Sequence, residues 1–388
     1  MKRFRLSTVA LWVLVGILPP AAFAHVKWFS NFAFTDAPLN LQEVLSPLVL
    51  GLIALSAVSI GVFVFVDRKI EDVPLYQRIK HWLMARQNLS IMVLRIGMGI
   101  TLILSWQDDS LLAPYLSITD MPVLGWIQFV LALLLIFPRS VPLAGTGIIG
   151  LWLVGVFNFG GFYMLDYLAF VGIGAFLMFG DSENPGLKGL AIPALYFGVG
   201  FSLIWLGMEK LVYPAWGLQV LETAPMLTLG LPPEFFLSSA AFVEIVLGYV
   251  LIIGLLGRPM GLTITLVFFT TTLFFGKVEV IGHTHLHAAL IVFMLNGAGK
   301  AYPAPIDIHR RLDWRVAFAV VNFVIITGVF TLLYTVGAEG TYIHALTEEV
   351  AVEDLEACRS DATALIETEN SHEIPCEALL QYHPDLQN

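Results

Sequence analysis

The sequence predicts an all-α polytopic membrane protein. About ten transmembrane helices form two tandem four-helix bundles, with one flanking helix on each side and a small periplasmic helical tail. Three observations predict this. Apolar residues make up 57% of the 388-residue chain and charged residues only 13%, against roughly 45–50% and about 25% in soluble domains. Such a chain must turn much of its surface toward lipid or other helices. The apolar residues gather into ten segments broken by Gly, Pro or charge. Basic residues alternate in density from one set of connecting loops to the next.

Residues 1–24 have the layout of a secretory signal peptide. Lys2, Arg3 and Arg5 form a positive n-region, Thr8 to Leu18 an apolar h-region, and Ala22-Phe23-Ala24 a small-x-small cleavage site. An uncleaved anchor helix would deliver residue 25 to the same, outer side. The apolar segments then run approximately 47–66, 90–106, 122–137, 141–158, 162–180, 190–208, 236–256, 259–276, 284–298 and 316–337. The inside loops carry twelve Lys/Arg, among them Arg68, Lys69, Arg78, Lys80 and Arg86, and the outside segments carry four: Lys27, Lys210, Lys277 and Arg359. That asymmetry follows the positive-inside rule and places both termini in the periplasm, with the protein in a bacterial inner membrane.

The expected organisation is a periplasmic segment, first transmembrane helix and cytoplasmic loop over 25–89, a first bundle over 90–189 and a second over 190–300. A cytoplasmic loop and last transmembrane helix follow over 301–337, then an acidic tail over 338–388. The net charge of -10 belongs mainly to that tail, which holds twelve Asp/Glu and one Lys/Arg. The pattern from Ala345 to Ile366 is helical. Both cysteines, Cys358 and Cys376, lie in the tail, and a disulfide between them would close a 19-residue loop in an oxidising compartment. Such a bridge stabilises by roughly 3 kcal/mol. No basic patch with interleaved aromatics is present, so nucleic acid is not an expected partner. The lipid bilayer is.

The two quartets of segments read as copies of one another. The first opens Leu94-Arg95-Ile96-Gly97-Met98-Gly99-Ile100 and the second Tyr196-Phe197-Gly198-Val199-Gly200-Phe201. Each has an outside loop with Pro and aromatics after its first helix, and an Arg-containing inside turn (Pro138-Arg139-Ser140; Gly257-Arg258-Pro259). Each shows a Phe-Gly break before its last helix (Phe159-Gly160; Phe275-Gly276). In the second quartet, Gly207-Met208-Glu209-Lys210-Leu211, Pro214, Leu229-Gly230-Leu231-Pro232, Glu244 and Gly248 resemble the DoxX/DoxD family of four-helix membrane proteins. The first quartet shares the Arg-x-Gly opening at Arg95 and Gly97 but has Ser105-Trp106-Gln107-Asp108 in place of Gly-x-x-Lys. The resemblance covers about 90–300 and implies two fused bundles with a quinone-linked or thiol-linked redox theme at the outer face, alongside a membrane or periplasmic redox partner protein.

Four sets of residues are candidates for chemistry. Glu244 lies roughly 12 Å below the outer surface, at 1.5 Å per residue. A carboxylate there must be protonated, paired or turned to a polar cavity. It is a candidate proton acceptor for a quinol or a metal ligand, or else a neutral Glu bonding another helix. Gln128 occupies the comparable helix of the first quartet. Lys210 can pair with Glu244, Glu279 or Asp166, or snorkel to the interface, while its neighbour Glu209 must face elsewhere. His283, His285 and His287 form a cluster at the outer mouth of the ninth span. In a helix, 283 and 287 share a face and 285 points away. Imidazoles at this density suit copper or zinc, or proton transfer. Finally, cleavage after Ala24 makes His25 the mature N-terminus, whose amine and ring nitrogen together suit Cu(II). The aromatic run Trp28, Phe29, Phe32 and Phe34 fits an interfacial belt.

Three functions are consistent with these residues. The first is a DoxX-like redox subunit or accessory with quinone as the cofactor, in which Glu244, Lys210 and the histidines handle protons. The second is copper or zinc binding or transport at the periplasmic face by His25, His283, His285, His287 and Glu209. The third is a non-catalytic scaffold whose acidic tail docks a soluble partner. No Cys-x-x-Cys, dinucleotide fingerprint or nucleophile triad supports a self-contained catalyst.

Overall fold

Proline and glycine set the helix boundaries. The computed structural model describes residues 25–297, 311–348, 365–367 and 373–375, so the leader segment, Cys358 and Cys376 lie outside the described residues. The first spanning helix, α1, runs Pro47–Ile70, and a short surface helix, α2, runs Pro74–Met84. The first quartet is α3 (Ser90–Gln107), α4 (Pro122–Leu134), α5 (Val141–Phe159) and α6 (Gly161–Phe179). The second begins with α7 (Pro185–Val212), followed by a short α8 (Pro214–Thr223), then α9 (Pro233–Ile252), α10 (Gly257–Phe275) and α11 (Lys277–Asn296). The last helix, α12, runs Leu312–Glu348. Helices α1, α2, α4, α7, α8 and α9 each open with Pro in the first turn, where its missing N–H has no helical partner anyway.

Among the described residues nine helices are long and apolar enough to cross a membrane; α4 is shorter, at thirteen residues. The Phe-Gly breaks expected from the repeat are real hinges at equivalent positions. Gly160 has φ +86° between α5 and α6, and Gly276 has φ +65° between α10 and α11, a conformation costly for any residue with a Cβ.

The packing couples the quartets more tightly than it closes either one. The most extensive interfaces of α7 are with α9 and with α6 of the first quartet, and α11 packs along α3. Gly172 and Gly198 meet backbone to backbone across α6 and α7, where an added Cβ at Gly172 would come within 2.6 Å of the Ala194 carbonyl oxygen. Close approach through small residues is how membrane helices associate. Helices α1 and α12 pair with one another on the outside of the second quartet. Asp67 fixes them at one end, accepting from the Leu256 N–H (2.9 Å) and pairing with Arg315 at 2.6 Å.

Two expectations need correction. The last helix does not stop near 337 but continues to Glu348, because Ala338 and Leu346 are buried and the Tyr213 hydroxyl donates to the Ala338 carbonyl. The tail is not helical as far as Ile366. Leu365–Glu367 is a strand paired antiparallel with Glu373–Pro375, Ile366 opposite Ile374, in keeping with the preference of β-branched residues for extended backbone.

Candidate functional site

Residues 25–46 fold back across the end of the bundle. Their anchors are the Leu39 N–H on the Val212 carbonyl (2.9 Å), the Asn31 N–H on Gln219 (2.6 Å) and the Trp216 indole on Asp36 (2.7 Å). A capping box at Asn40 and Glu43 then turns the chain toward α1. The fold-back buries the start of the segment. Trp28 is 1% exposed and lies flat on Gly282 of α11, where any Cβ would fall inside its ring. Trp28 is therefore not part of an interfacial belt. Phe29, Phe32 and Phe34 pack partly buried against the core.

Beneath this segment sits a buried polar network drawn from five elements. Lys27, 1% exposed, places Nζ 2.8 Å from Asp166 of α6 and 2.6 Å from Glu209 of α7, with the Tyr163 ring centroid at 4.5 Å. Burial opposes the Lys27 ammonium, yet the carboxylates of Asp166 and Glu209 hold its pKa above the ordinary lysine range. Lys210 turns the other way and pairs with Glu244 of α9 at 2.8 Å, also donating to the Leu206 carbonyl. On α11, Glu279 accepts from Thr271 (2.7 Å) and lies 2.6 Å from Nδ1 of His283, at an angle too poor for a hydrogen bond.

Four carboxylates (Asp166, Glu209, Glu244, Glu279) thus stand against two ammonium groups (Lys27, Lys210), all buried. In apolar surroundings such an excess of anion has to be met by protons or by a cation.

Helix α11 begins seven residues before the expected segment, at Lys277 rather than 284, so the histidines lie within a helix. Three imidazoles come together there, each held by an aromatic plate. His25 stacks on Trp28 (centroids 4.0 Å), His283 on Phe268 (4.4 Å) and His285 on Phe170 (4.2 Å). The His25 and His283 centroids are 6.4 Å apart. His25 and His285 line the same cavity of about 20 Å³ with Asp166 and Tyr167, space for a single water or ion. Nδ1 of His25, Nε2 of His283 and Nδ1 of His285 are buried without a hydrogen-bond partner. Burial pushes the His25 pKa well below the ordinary imidazole value, and neighbouring His283, Lys210 and Lys27 push it the same way, so the ring keeps a lone pair.

The ligand set expected from sequence changes accordingly. His285 lines the cavity with His25, and His283 stands beside them, whereas His287 sits edge-on to Phe268, half-buried and apart. As expected of a helix, His283 and His287 share a face, both against Phe268, and His285 points away to Phe170; the further imidazole, His25, comes from the N-terminal segment. Glu209 is taken up by Lys27 and is not turned to the histidines. Among the described residues no three His, Cys, Asp or Glu side chains already converge at metal-binding distance. The fit to a metal therefore rests on the three unpartnered nitrogens and the ion-sized cavity. Glu244 and Lys210 pair as one of the sequence alternatives had it. Gln128 is a structural residue, accepting from the Leu112 N–H (2.7 Å) and donating to the Ser110 carbonyl (2.8 Å). Arg95 donates to the Leu135 and Ile136 carbonyls at the end of α4.

Sequence reasoning missed Lys27, Trp28 and Tyr167 as parts of the site. The available signal was one cation, Lys27, directly before an aromatic run. Comparisons with protein-family models, with curated proteins and with solved structures give no match for this chain.

Proposed function

We propose that the protein is a multi-pass membrane protein that binds a transition-metal ion, copper or zinc, in a buried histidine site opening toward the periplasm. The observation that carries this reading is the meeting of His25 and His285 at an ion-sized cavity, with the His283 ring beside His25 and a ring nitrogen of each of the three unpartnered. An unpaired buried polar atom costs about 1–3 kcal/mol, a cost that coordination of a cation would remove. Glu279, itself held by Thr271, lies 2.6 Å from Nδ1 of His283, the side of the ring that a metal at Nε2 would leave free. The excess of buried carboxylate over ammonium favours a cation in the same place.

The test is a chelator-competition titration of the purified protein with zinc and copper, alongside His25→Ala and His285→Ala. One high-affinity metal per chain, weakened in both variants, supports the reading; a protein that binds neither metal contradicts it.

A second reading keeps the DoxX-like redox accessory, and the fully buried Lys210–Glu244 pair favours it. One carboxylate oxygen of Glu244 has no partner, which supports a role as proton acceptor for a quinol. Here Glu244→Gln lowers quinol-dependent electron transfer in membranes, and an unchanged rate counts against it.

A further inference from the structure

We infer that removal of the leader peptide completes the metal site: the α-amine of His25 joins its own Nδ1 as a chelating pair, with His283 and His285 facing them, and the ion this selects is Cu(II). The inference rests on the metal-binding reading above and concerns the same site.

Two independent observations meet at one residue. The sequence puts a small-x-small cleavage site directly before His25. The fold then carries that residue to the buried end of the bundle at 4% exposure, stacked between Trp28 and Tyr167 (centroids 4.0 and 5.2 Å). An arbitrary first residue would lie at a frayed, exposed terminus. This one is among the better buried polar residues of the protein.

The nitrogen that matters is the unpartnered one. A terminal amine and the Nδ1 of its own imidazole close a six-membered chelate through Cα, Cβ and Cγ, and the more distant Nε2 cannot. In His25 it is Nδ1 that is buried without a hydrogen bond. Two nitrogens from one residue and a third from a facing imidazole make the planar N-donor set that Cu(II) prefers over zinc's tetrahedron. The 6.4 Å between the His25 and His283 centroids leaves room for an ion about 2 Å from a nitrogen of each ring.

Before processing the amine does not exist. Hydrolysis of the Ala24–His25 peptide bond by a leader peptidase adds water, leaving a carboxylate on the departing leader and an amine on His25. The amine, unlike the peptide N–H it replaces, offers a lone pair to a metal once its proton is released. The same cut that releases the leader would thus switch the site on, keeping the precursor without tight copper.

The experiment uses the full-length mature protein, its N-terminus verified by mass spectrometry, loaded with Cu(II) or with zinc. In protein grown on histidine labelled with nitrogen-15 only at the α position, pulsed EPR of bound Cu(II) should show a directly coordinated labelled nitrogen. Inserting Glu-Leu between Ala24 and His25 keeps the Ala22-Phe23-Ala24 site, puts no small residue directly before His25, and leaves His25 internal after processing. That variant should lose Cu(II) affinity by more than the roughly 10–100-fold that loss of an outer-shell partner costs, while zinc binding changes less. An unlabelled coordination sphere, or Cu(II) affinity equal to wild type in the inserted variant, overturns the amine ligand but leaves the metal site standing. Absence of Cu(II) and zinc binding in the wild type overturns both. The labelling arm needs no variant, so a folding defect in the inserted protein does not blunt it.

Discussion

Gln128 and Glu244 occupy corresponding helices of the two quartets, and their surroundings differ in kind. Gln128 uses both ends of its amide, tying the Ser110 carbonyl and Leu112 N–H of its own quartet's outer loop to α4. Glu244 reaches only Lys210 and keeps one oxygen unpartnered. The difference extends further: the second quartet adds Glu279, His283 and His285 to the same end, with their nitrogens open. From the first quartet, Asp166 and Tyr163 reach across to Lys27. Gln128 is spent on structure, while Glu244, Glu279, His283 and His285 each keep a buried polar atom without a hydrogen bond. The N-terminal segment is the lid that closes over both quartets.

The largest break in this comparison should come from Lys210→Met, which strands Glu244 in an apolar interior. Removing one partner of a buried ion pair costs about 3–5 kcal/mol, a large share of a typical total of roughly 5–15 kcal/mol. Thermal unfolding in detergent should show a steep loss, partly recovered in Lys210→Met combined with Glu244→Gln; a single variant as stable as wild type would show that the pair is not buried as described.

Gln128→Leu comes next. It leaves two buried backbone groups without partners, at about 1–3 kcal/mol each. Stability should fall while metal binding stays as in wild type. A parallel loss of metal would mean that Gln128 bears on the site in a way its satisfied hydrogen bonds do not express.

Gly282→Ala sharpens the comparison without touching a polar atom. The new methyl would lie in the Trp28 ring, so the N-terminal segment must lift and carry His25 away. Metal affinity should drop and the emission of Trp28 should shift toward that of a water-exposed indole. Gly150→Ala, whose Cβ would meet nothing within 4 Å, serves as the control and should stay within about 0.5 kcal/mol of wild type. Equal behaviour of the two variants would contradict the docking of Trp28 on α11.

Much of the helical order was legible in the sequence because it follows from length, hydropathy and Pro/Gly breaks. Gly160 and Gly276 fall where the repeat placed them. The boundaries that failed did so for tertiary reasons. Helix α11 starts at Lys277 because Glu279 and His283 are stabilised by Thr271 and Phe268 of the preceding helix, which no local pattern reveals. Helix α12 outlasts its apolar stretch because it has α7 to pack against. The site was half legible: an N-terminal His and a His-rich turn carried a signal, and Glu244 with Lys210 another. Lys27 had none beyond its position. Its partners lie 139 residues away at Asp166 and further still at Glu209, and periodicity holds no information at that range. The choice of 285 over 287 follows from the direction in which the N-terminal segment enters.

The central claim is that three histidines, and not a fourth, hold one metal ion. The most direct measurement is the metal-to-protein ratio of wild type, His285→Ala and His287→Ala, each exposed to copper and zinc and then desalted. His285 is the informative position because its ring carries no ion pair whose loss would unsettle the fold. The account predicts near-stoichiometric metal in wild type and His287→Ala, and little in His285→Ala. A ratio near zero in wild type, or the same ratio in His285→Ala as in wild type, would contradict it.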